Sequence, residues 1–109
     1  MFTDLQLNFA KEVVNSCNTL NLIITTAESC TGGLISSCIT AIDGSSNIFD
    51  RGFVTYTNQA KIDLLGVSPD LFELCGAVSE EVAYVMAEGA LEQSIAQISV
   101  AVTGIAGPS

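Results

Sequence analysis

Three short apolar runs, rich in β-branched residues, alternate along this chain with stretches whose apolar residues recur at helical spacing. The runs are NLIITTA at 21–27, GFVTYT at 52–57 and QISVAV at 97–102. Runs of this kind are typical of buried strands. Strands that alternate with amphipathic helices fold as layers, so the pattern predicts an α/β protein with a small sheet. The last predicted strand would lie at an unprotected edge.

Helix boundaries are predicted from capping residues. Thr3 followed by Gln6 fits a capping box, Gly66 fits a helix end, and Ser79 fits a helix start. The predicted helices cover residues 4–19, 33–42, 58–66, 68–76 and 80–94.

The charge of the chain argues against several kinds of partner. The net charge is −9, from 12 acidic and 3 basic residues among 109. Nucleic acids and anionic membranes are bound by clustered Lys and Arg, so neither is an expected partner. No apolar run approaches the roughly 20 residues of a membrane helix, and no secretory signal is recognised. We therefore expect a cytoplasmic protein.

The cysteine pattern predicts no metal site. Cys17, Cys30, Cys38 and Cys75 are spaced unlike zinc or redox motifs, and the chain has no histidine. Buried free thiols are the expected state of these side chains. Neither a metal nor a cofactor is predicted.

A serine at the end of the first strand raises the question of its base. Ser29 lies in TTAESCTGG, between an apolar run and two glycines. Without histidine, a serine nucleophile needs a lysine, a tyrosinate or a carboxylate. Lys61 follows Tyr56 by five residues, and burial would lower its pKa enough to make it a base. If the two strands are neighbours, Ser29, Tyr56 and Lys61 converge at one sheet edge.

Two glycine-rich turns could bind the negative charge of a substrate. Backbone N–H groups of Thr31, Gly32 and Gly33 could stabilise an oxyanion or a phosphate, and TGIAGPS at 103–109 supplies a second turn. These features suggest acyl transfer on a small anionic substrate. Plainer interpretations stay open: Ser29 as a helix cap, Tyr56 as a core aromatic, Lys61 as a solvated charge. Arg51 is either a substrate clamp or the partner of an acid such as Asp50.

Four motifs together resemble the C-terminal domain of the competence/damage-inducible protein CinA family, which also occurs as a stand-alone nicotinamide-nucleotide amidase. They are TAESCTGG, GSSNIFDRGFVTYTNQAKIDLLGV, GAVSEEVAYVMAEGAL and AVTGIAGP, in this order. The resemblance implies a three-layer α/β/α sandwich around a mixed sheet. It also implies a cytoplasmic bacterial homo-oligomer that needs no metal and converts nicotinamide mononucleotide to nicotinate mononucleotide and ammonia.

The resemblance assigns the serine nucleophile to Ser29, assisted by Lys61 as base and by Tyr56 as proton relay to the departing ammonia. It places a second substrate loop at Thr103 to Pro108. The complete set of predicted oxyanion and substrate-binding residues is Thr31, Gly32, Gly33, Arg51, Asn58, Thr103, Gly104 and Gly107.

Residues 1–109 are expected to form a single domain that ends before the family's domain does, because the family continues with a further hairpin and helix. Two alternatives to the amidase stay open. One is a non-catalytic nucleotide-binding or interaction domain, and the other is an amidase for a different small amide.

Overall fold

The helices and strands of the protein follow the predicted alternation. The structure, a computed structural model, describes residues 1–105. The helices are α1 (Asp4–Leu20), α2 (Leu34–Thr40), α3 (Asn58–Leu65), α4 (Pro69–Cys75) and α5 (Glu80–Glu92), with a 3₁₀ turn at Ser45–Asn47. The strands are β1 (Ile24–Glu28), β2 (Phe49–Val54) and β3 (Ile98–Val102).

Local capping chemistry sets most of the helix ends. Thr3 and Gln6 form the predicted capping box, and Ser79 accepts the N–H of Val82 at the start of α5. Gly66 ends α3 in the left-handed region, at φ 70°. A side chain is rarely tolerated there, so the glycine is required by the turn.

The second strand differs from its prediction. It begins at Phe49 and ends at Val54, whereas the sequence predicted 52–57. The predicted end was wrong because Thr57 is the N-cap of α3 and accepts the N–H of Ala60 through its hydroxyl. Tyr56 therefore lies in the connection between strand and helix.

The three strands form a parallel sheet in the order β2-β1-β3. Glu28, the last residue of β1, is opposite Val54 on one side and Val102 on the other. The carboxyl ends of all three strands therefore meet at one edge. All the strands among residues 1–105 are parallel, so an antiparallel member of the expected mixed sheet is not among them.

Helices cover both faces of the sheet, which confirms the α/β/α layering. On one face α1 and α2 enclose a core that includes Val14, Ile24 and Ile39. On the other face α3, α4 and α5 enclose a core around Val82 and Met86. The central strand β1 is buried at all five positions because it has a neighbour on each side and helices on each face.

The two outer strands differ in polarity. The edge of β2 carries Asp50 and Arg51, whereas β3 has no charged residue, and Ile98 and Val100 are 37% and 40% exposed. Within residues 1–105, β3 pairs with β1 alone, as expected of an edge strand.

The cysteines are all free, as predicted, but only Cys17 is fully buried. The other three cysteines are partly exposed. No helix of the described part of the chain is long and apolar enough to cross a membrane.

Candidate active site

Ser29 is the first residue after the central strand. Its N–H donates to the carbonyl of Val102 at 3.0 Å, and the residue is 6% exposed. The chain then turns into α2 through Gly32 at φ 59° and Gly33 at φ 102°. Both values lie in the region that favours glycine, so the predicted reversal at these two residues is a geometric requirement.

Lys61 reaches Ser29 from the first turn of α3. Its Nζ donates to Ser29 Oγ at 2.9 Å, to the carbonyl of Tyr56 at 3.2 Å and to that of Thr57 at 3.5 Å. Ser29 Oγ also donates to the Tyr56 carbonyl, at 3.3 Å. The residues predicted to converge at the carboxyl edge do so, because β1 and β2 are parallel neighbours that end together.

The environment of Lys61 favours its neutral form. The residue is 2% exposed, and burial lowers the pKa of its amine, while the charge interaction with Cys30 acts in the opposite direction and is smaller. Within residues 1–105 the single ion pair joins Arg51 to Asp50, so no carboxylate of that part stabilises the ammonium form. A buried amine of lowered pKa beside a hydroxyl can accept its proton.

Tyr56 takes part in this site through its backbone. The carbonyl accepts from both Ser29 and Lys61, but the side chain is 68% exposed. Its phenol forms no hydrogen bond with any group of residues 1–105. The sequence predicted that Tyr56 and Lys61 would lie together, and the structure brings the carbonyl of Tyr56, rather than its hydroxyl, to the amine.

Glu28 is a buried carboxylate that the sequence analysis missed. It is 0% exposed, and its oxygens accept from Thr31 Oγ1 at 2.7 Å and Ser36 Oγ at 2.8 Å. They also accept from the N–H groups of Ile35 at 2.9 Å and Ser36 at 3.0 Å. The available signal was an acid at the end of an apolar strand, three residues before a hydroxyl in a glycine turn.

Burial raises the pKa of Glu28, but the hydrogen bonds from Thr31, Ser36 and Ile35 outweigh burial and leave the pKa below its ordinary value. Glu28 is therefore ionised at neutral pH. Hydrogen bonds that stabilise the charged form explain this direction.

The turn after Ser29 contains backbone N–H groups that have no acceptor within the described part of the chain. The N–H of Gly32 is occupied, since it donates to the carbonyl of Ser29 at 3.1 Å. The N–H groups of Cys30, Thr31 and Gly33 donate to no acceptor in residues 1–105. Two of the three predicted oxyanion donors, the N–H groups of Thr31 and Gly33, therefore have no acceptor within residues 1–105, and the same holds for the N–H of Cys30.

The second glycine-rich loop begins beside the first. Thr103 Oγ1 donates to the carbonyl of Ala77 at 2.9 Å, so this hydroxyl is occupied. A Cβ built on Gly104 would lie 3.1 Å from Cys30 Sγ, which shows that the two loops touch. Gly107 lies outside the described residues.

Arg51 and Asn58 are not part of the Ser29 and Lys61 contacts. Arg51 pairs with Asp50 and donates to the carbonyl of Gln93 at 3.2 Å. Gln93 ends α5, which leads into β3, so Arg51 lies towards the amino edge of the sheet. This position favours the alternative pairing with Asp50, and the clamp role stays a prediction. Asn58 is exposed at the start of α3.

Among the described residues there is no group of three or more His, Cys, Asp or Glu side chains that could hold a metal ion.

Comparison with known proteins gives consistent matches. A family model described as the CinA C-terminal domain matches residues 6–109. A CinA-like protein of Chlorobaculum tepidum is 53% identical over 103 residues, which is 94% of this chain and 24% of that protein. The nicotinamide-nucleotide amidohydrolase PncC of Enterobacter agglomerans is 60% identical over 85 residues, which is 78% of this chain and 52% of that protein.

A solved structure gives the same result for the fold. The competence/damage inducible protein CihA of Agrobacterium tumefaciens superposes with a TM-score of 0.97 at 50% identity, over 100% of this chain and 66% of that one. The chain therefore spans about a quarter to two thirds of the length of these relatives.

Proposed function

Because the chain belongs to the CinA C-terminal domain family, we propose that it is a serine amidohydrolase that converts nicotinamide mononucleotide to nicotinate mononucleotide and ammonia. The observation that carries the proposal is the 2.9 Å contact between Lys61 Nζ and Ser29 Oγ, in a chain without histidine. The name of the Enterobacter agglomerans relative supports the choice of substrate. We propose that residues 1–109 belong to the single domain that carries the reaction.

In the first half of the reaction, the neutral amine of Lys61 takes the proton of Ser29. Ser29 Oγ then attacks the carboxamide carbon and forms a tetrahedral oxyanion. The N–H groups of Cys30, Thr31 and Gly33, which have no acceptor among residues 1–105, are candidate donors to that oxygen. Fixed backbone donors stabilise such a charge without reorganisation.

In the second half, the Lys61 ammonium gives its proton to the carboxamide nitrogen, and the C–N bond breaks with release of ammonia. Water then attacks the ester on Ser29 and passes a proton to Lys61. The acid leaves, and Ser29 recovers its proton. The carbonyls of Tyr56 and Thr57 hold the ammonium between these steps. The phenol of Tyr56 is exposed, so the proton is assigned to Lys61 rather than to a tyrosine relay.

The experiment is a measurement of ammonia release from nicotinamide mononucleotide, without added metal, by the protein and by Ser29→Ala. Ser16→Ala is the matched control, because it is the same change at an exposed position of α1. Loss of turnover in Ser29→Ala, with turnover kept in Ser16→Ala, would support the proposal. If Ser29→Ala turns over the substrate as fast as the unaltered protein, Ser29 is excluded as the nucleophile.

Comparison with other amides tests the substrate. Free nicotinamide and nicotinamide riboside, measured beside the nucleotide, would identify an amidase for a different small amide. A folded protein that releases ammonia from none of them would favour the non-catalytic alternative. A homo-oligomer and a cytoplasmic location stay predictions of the family resemblance.

A further inference from the structure

The carboxylate of Glu28 has every acceptor position filled. An ionised carboxylate offers about four lone-pair sites, and four donors from the protein occupy this one. The residue is 0% exposed. Glu28 therefore has no contact to offer a substrate and cannot act as its acid or base, although it directly precedes Ser29.

Two of these four donors are backbone N–H groups at the start of α2. The N-cap residue of that helix is Gly33, which has no side chain to accept from the first turn. The N–H groups of Ile35 and Ser36 donate to Glu28 instead. A carboxylate on the central strand thus performs the capping of the next helix.

A third donor lies inside the turn. Thr31 Oγ1 donates to the same oxygen of Glu28 that accepts from the N–H of Ile35. Residues 29–33 are consequently held at three points: the end of β1, the hydroxyl of Thr31 and the first turn of α2. Ser29 lies between the first two of these points.

The fourth donor, a hydroxyl of α2, connects Glu28 to Thr26 on the same strand. Ser36 Oγ donates to Glu28, so the 2.6 Å contact between Ser36 and Thr26 must use the proton of Thr26. Gly52 of β2 leaves room for this pair, because a Cβ there would lie 2.5 Å from Ser36 Oγ and would also overlap Thr26 Oγ1. The network thus joins the sheet to α2, and its buried side-chain groups are hydrogen-bonded.

We propose that Glu28 is a positioning residue for the nucleophile: through Thr31 and the start of α2 it fixes the turn that keeps Ser29 Oγ at Lys61 Nζ. Turnover of the amide is one readout of this role, and that readout rests on the proposed function. A carboxylate that only capped α2 would affect the stability of the helix, whereas a positioning residue also affects the reactivity of Ser29.

Thr31 offers the sharpest perturbation, since Glu28→Gln would place an amide NH₂ group against a backbone N–H, whichever oxygen it replaces, and risks unfolding. Thr31→Val removes one hydrogen bond and keeps the shape of the side chain. Thr31→Ser restores the hydroxyl. We expect Thr31→Val to lower kcat about 10- to 100-fold, because small displacements of a reacting group have effects of that size. KM should change less than about twofold, and Thr31→Ser should recover most of the loss.

Labelling of Ser29 by a fluorophosphonate provides a readout that needs no amide substrate. Its rate should fall by the same factor in Thr31→Val and recover in Thr31→Ser, with thermal melts measured in parallel. Equal labelling rates in all three chains, or a lower Tm without slower labelling, would overturn the positioning role. A protein that is labelled as expected but releases no ammonia from nicotinamide mononucleotide would overturn the proposed function alone.

Discussion

Replacing Lys61 with methionine should abolish turnover and make the protein more stable at neutral pH. Lys61 is 2% exposed, and burial lowers its pKa. Each unit of that lowering costs the folded state about 1.4 kcal/mol at pH values below the folded-state pKa. Methionine has a similar volume and carries no charge to bury.

The carbonyl groups that accept from the Lys61 amine each keep another donor in the Lys61→Met variant. The Tyr56 carbonyl keeps its bond from Ser29, and the Thr57 carbonyl keeps the backbone N–H of residue 61. Replacing buried charge by apolar volume stabilises proteins by about 1–4 kcal/mol where it is favourable. Because three bonds of the amine are lost here, we expect the lower end, about 1 kcal/mol. That corresponds to a Tm rise of about 4–8 °C.

The difference should depend on pH with a definite sign. Between the lowered pKa of folded Lys61 and 10.5, the unfolded wild type holds a proton that the folded protein lacks. Wild-type stability therefore rises with pH through this window, and the advantage of the variant shrinks as pH approaches 10.5. In the active protein, kcat/KM should rise along a limb whose midpoint lies below 10.5, because the neutral amine is the base.

Thermal melts by circular dichroism from pH 7 to 11 would measure this effect. Lys11→Met, the same change at an exposed position of α1, is the control and should shift Tm little at any pH. The reasoning is refuted if Lys61→Met is less stable than wild type at pH 7, or if its advantage does not change with pH. Retained turnover in Lys61→Met would refute the assignment of the base.

Three other substitutions test single features of the structure. Tyr56→Phe should keep kcat/KM within about threefold in the ammonia assay, since the carbonyl makes the contacts; a hundredfold loss would restore the phenol as proton relay. Arg51→Gln should leave turnover unchanged, because its guanidinium is bound at the far end of α5; a raised KM would contradict this placement. Gly89→Ala should lower stability by about 1–3 kcal/mol in denaturant titrations, because its Cβ would overlap the Leu65 carbonyl. If Gly89→Ala instead raises the free energy of unfolding by about 1 kcal/mol, as helix propensity alone predicts, the close approach of Gly89 to the Leu65 carbonyl is wrong.

The sequence was sufficient for the element order and for the pairing of Ser29 with Lys61. Strand and helix patterns are local, and the capping residues Thr3 and Ser79 act on N–H groups only three residues away. The serine and the lysine could be predicted together because each follows the end of a strand, and neighbouring parallel strands end at the same edge.

Details that depend on side-chain direction could not be predicted in this way. The sequence places Tyr56 beside Lys61 but does not determine which of its oxygens faces the amine. The sequence allows Arg51 either to bind a substrate or to pair with an acid such as Asp50. The register of β2, which sets Arg51 three residues before the strand end, favours the pairing with an acid.

The residues themselves determined the chemistry available to this protein: no histidine, one lysine after the second strand, and glycines where the first strand turns. Only the tertiary structure decided how that chemistry is arranged. It buries Lys61 without a carboxylate partner among residues 1–105, and closes Glu28 inside four hydrogen bonds. The physical reason is that burial and hydrogen-bond partners come from strands and helices far apart in the chain, and only packing brings them together.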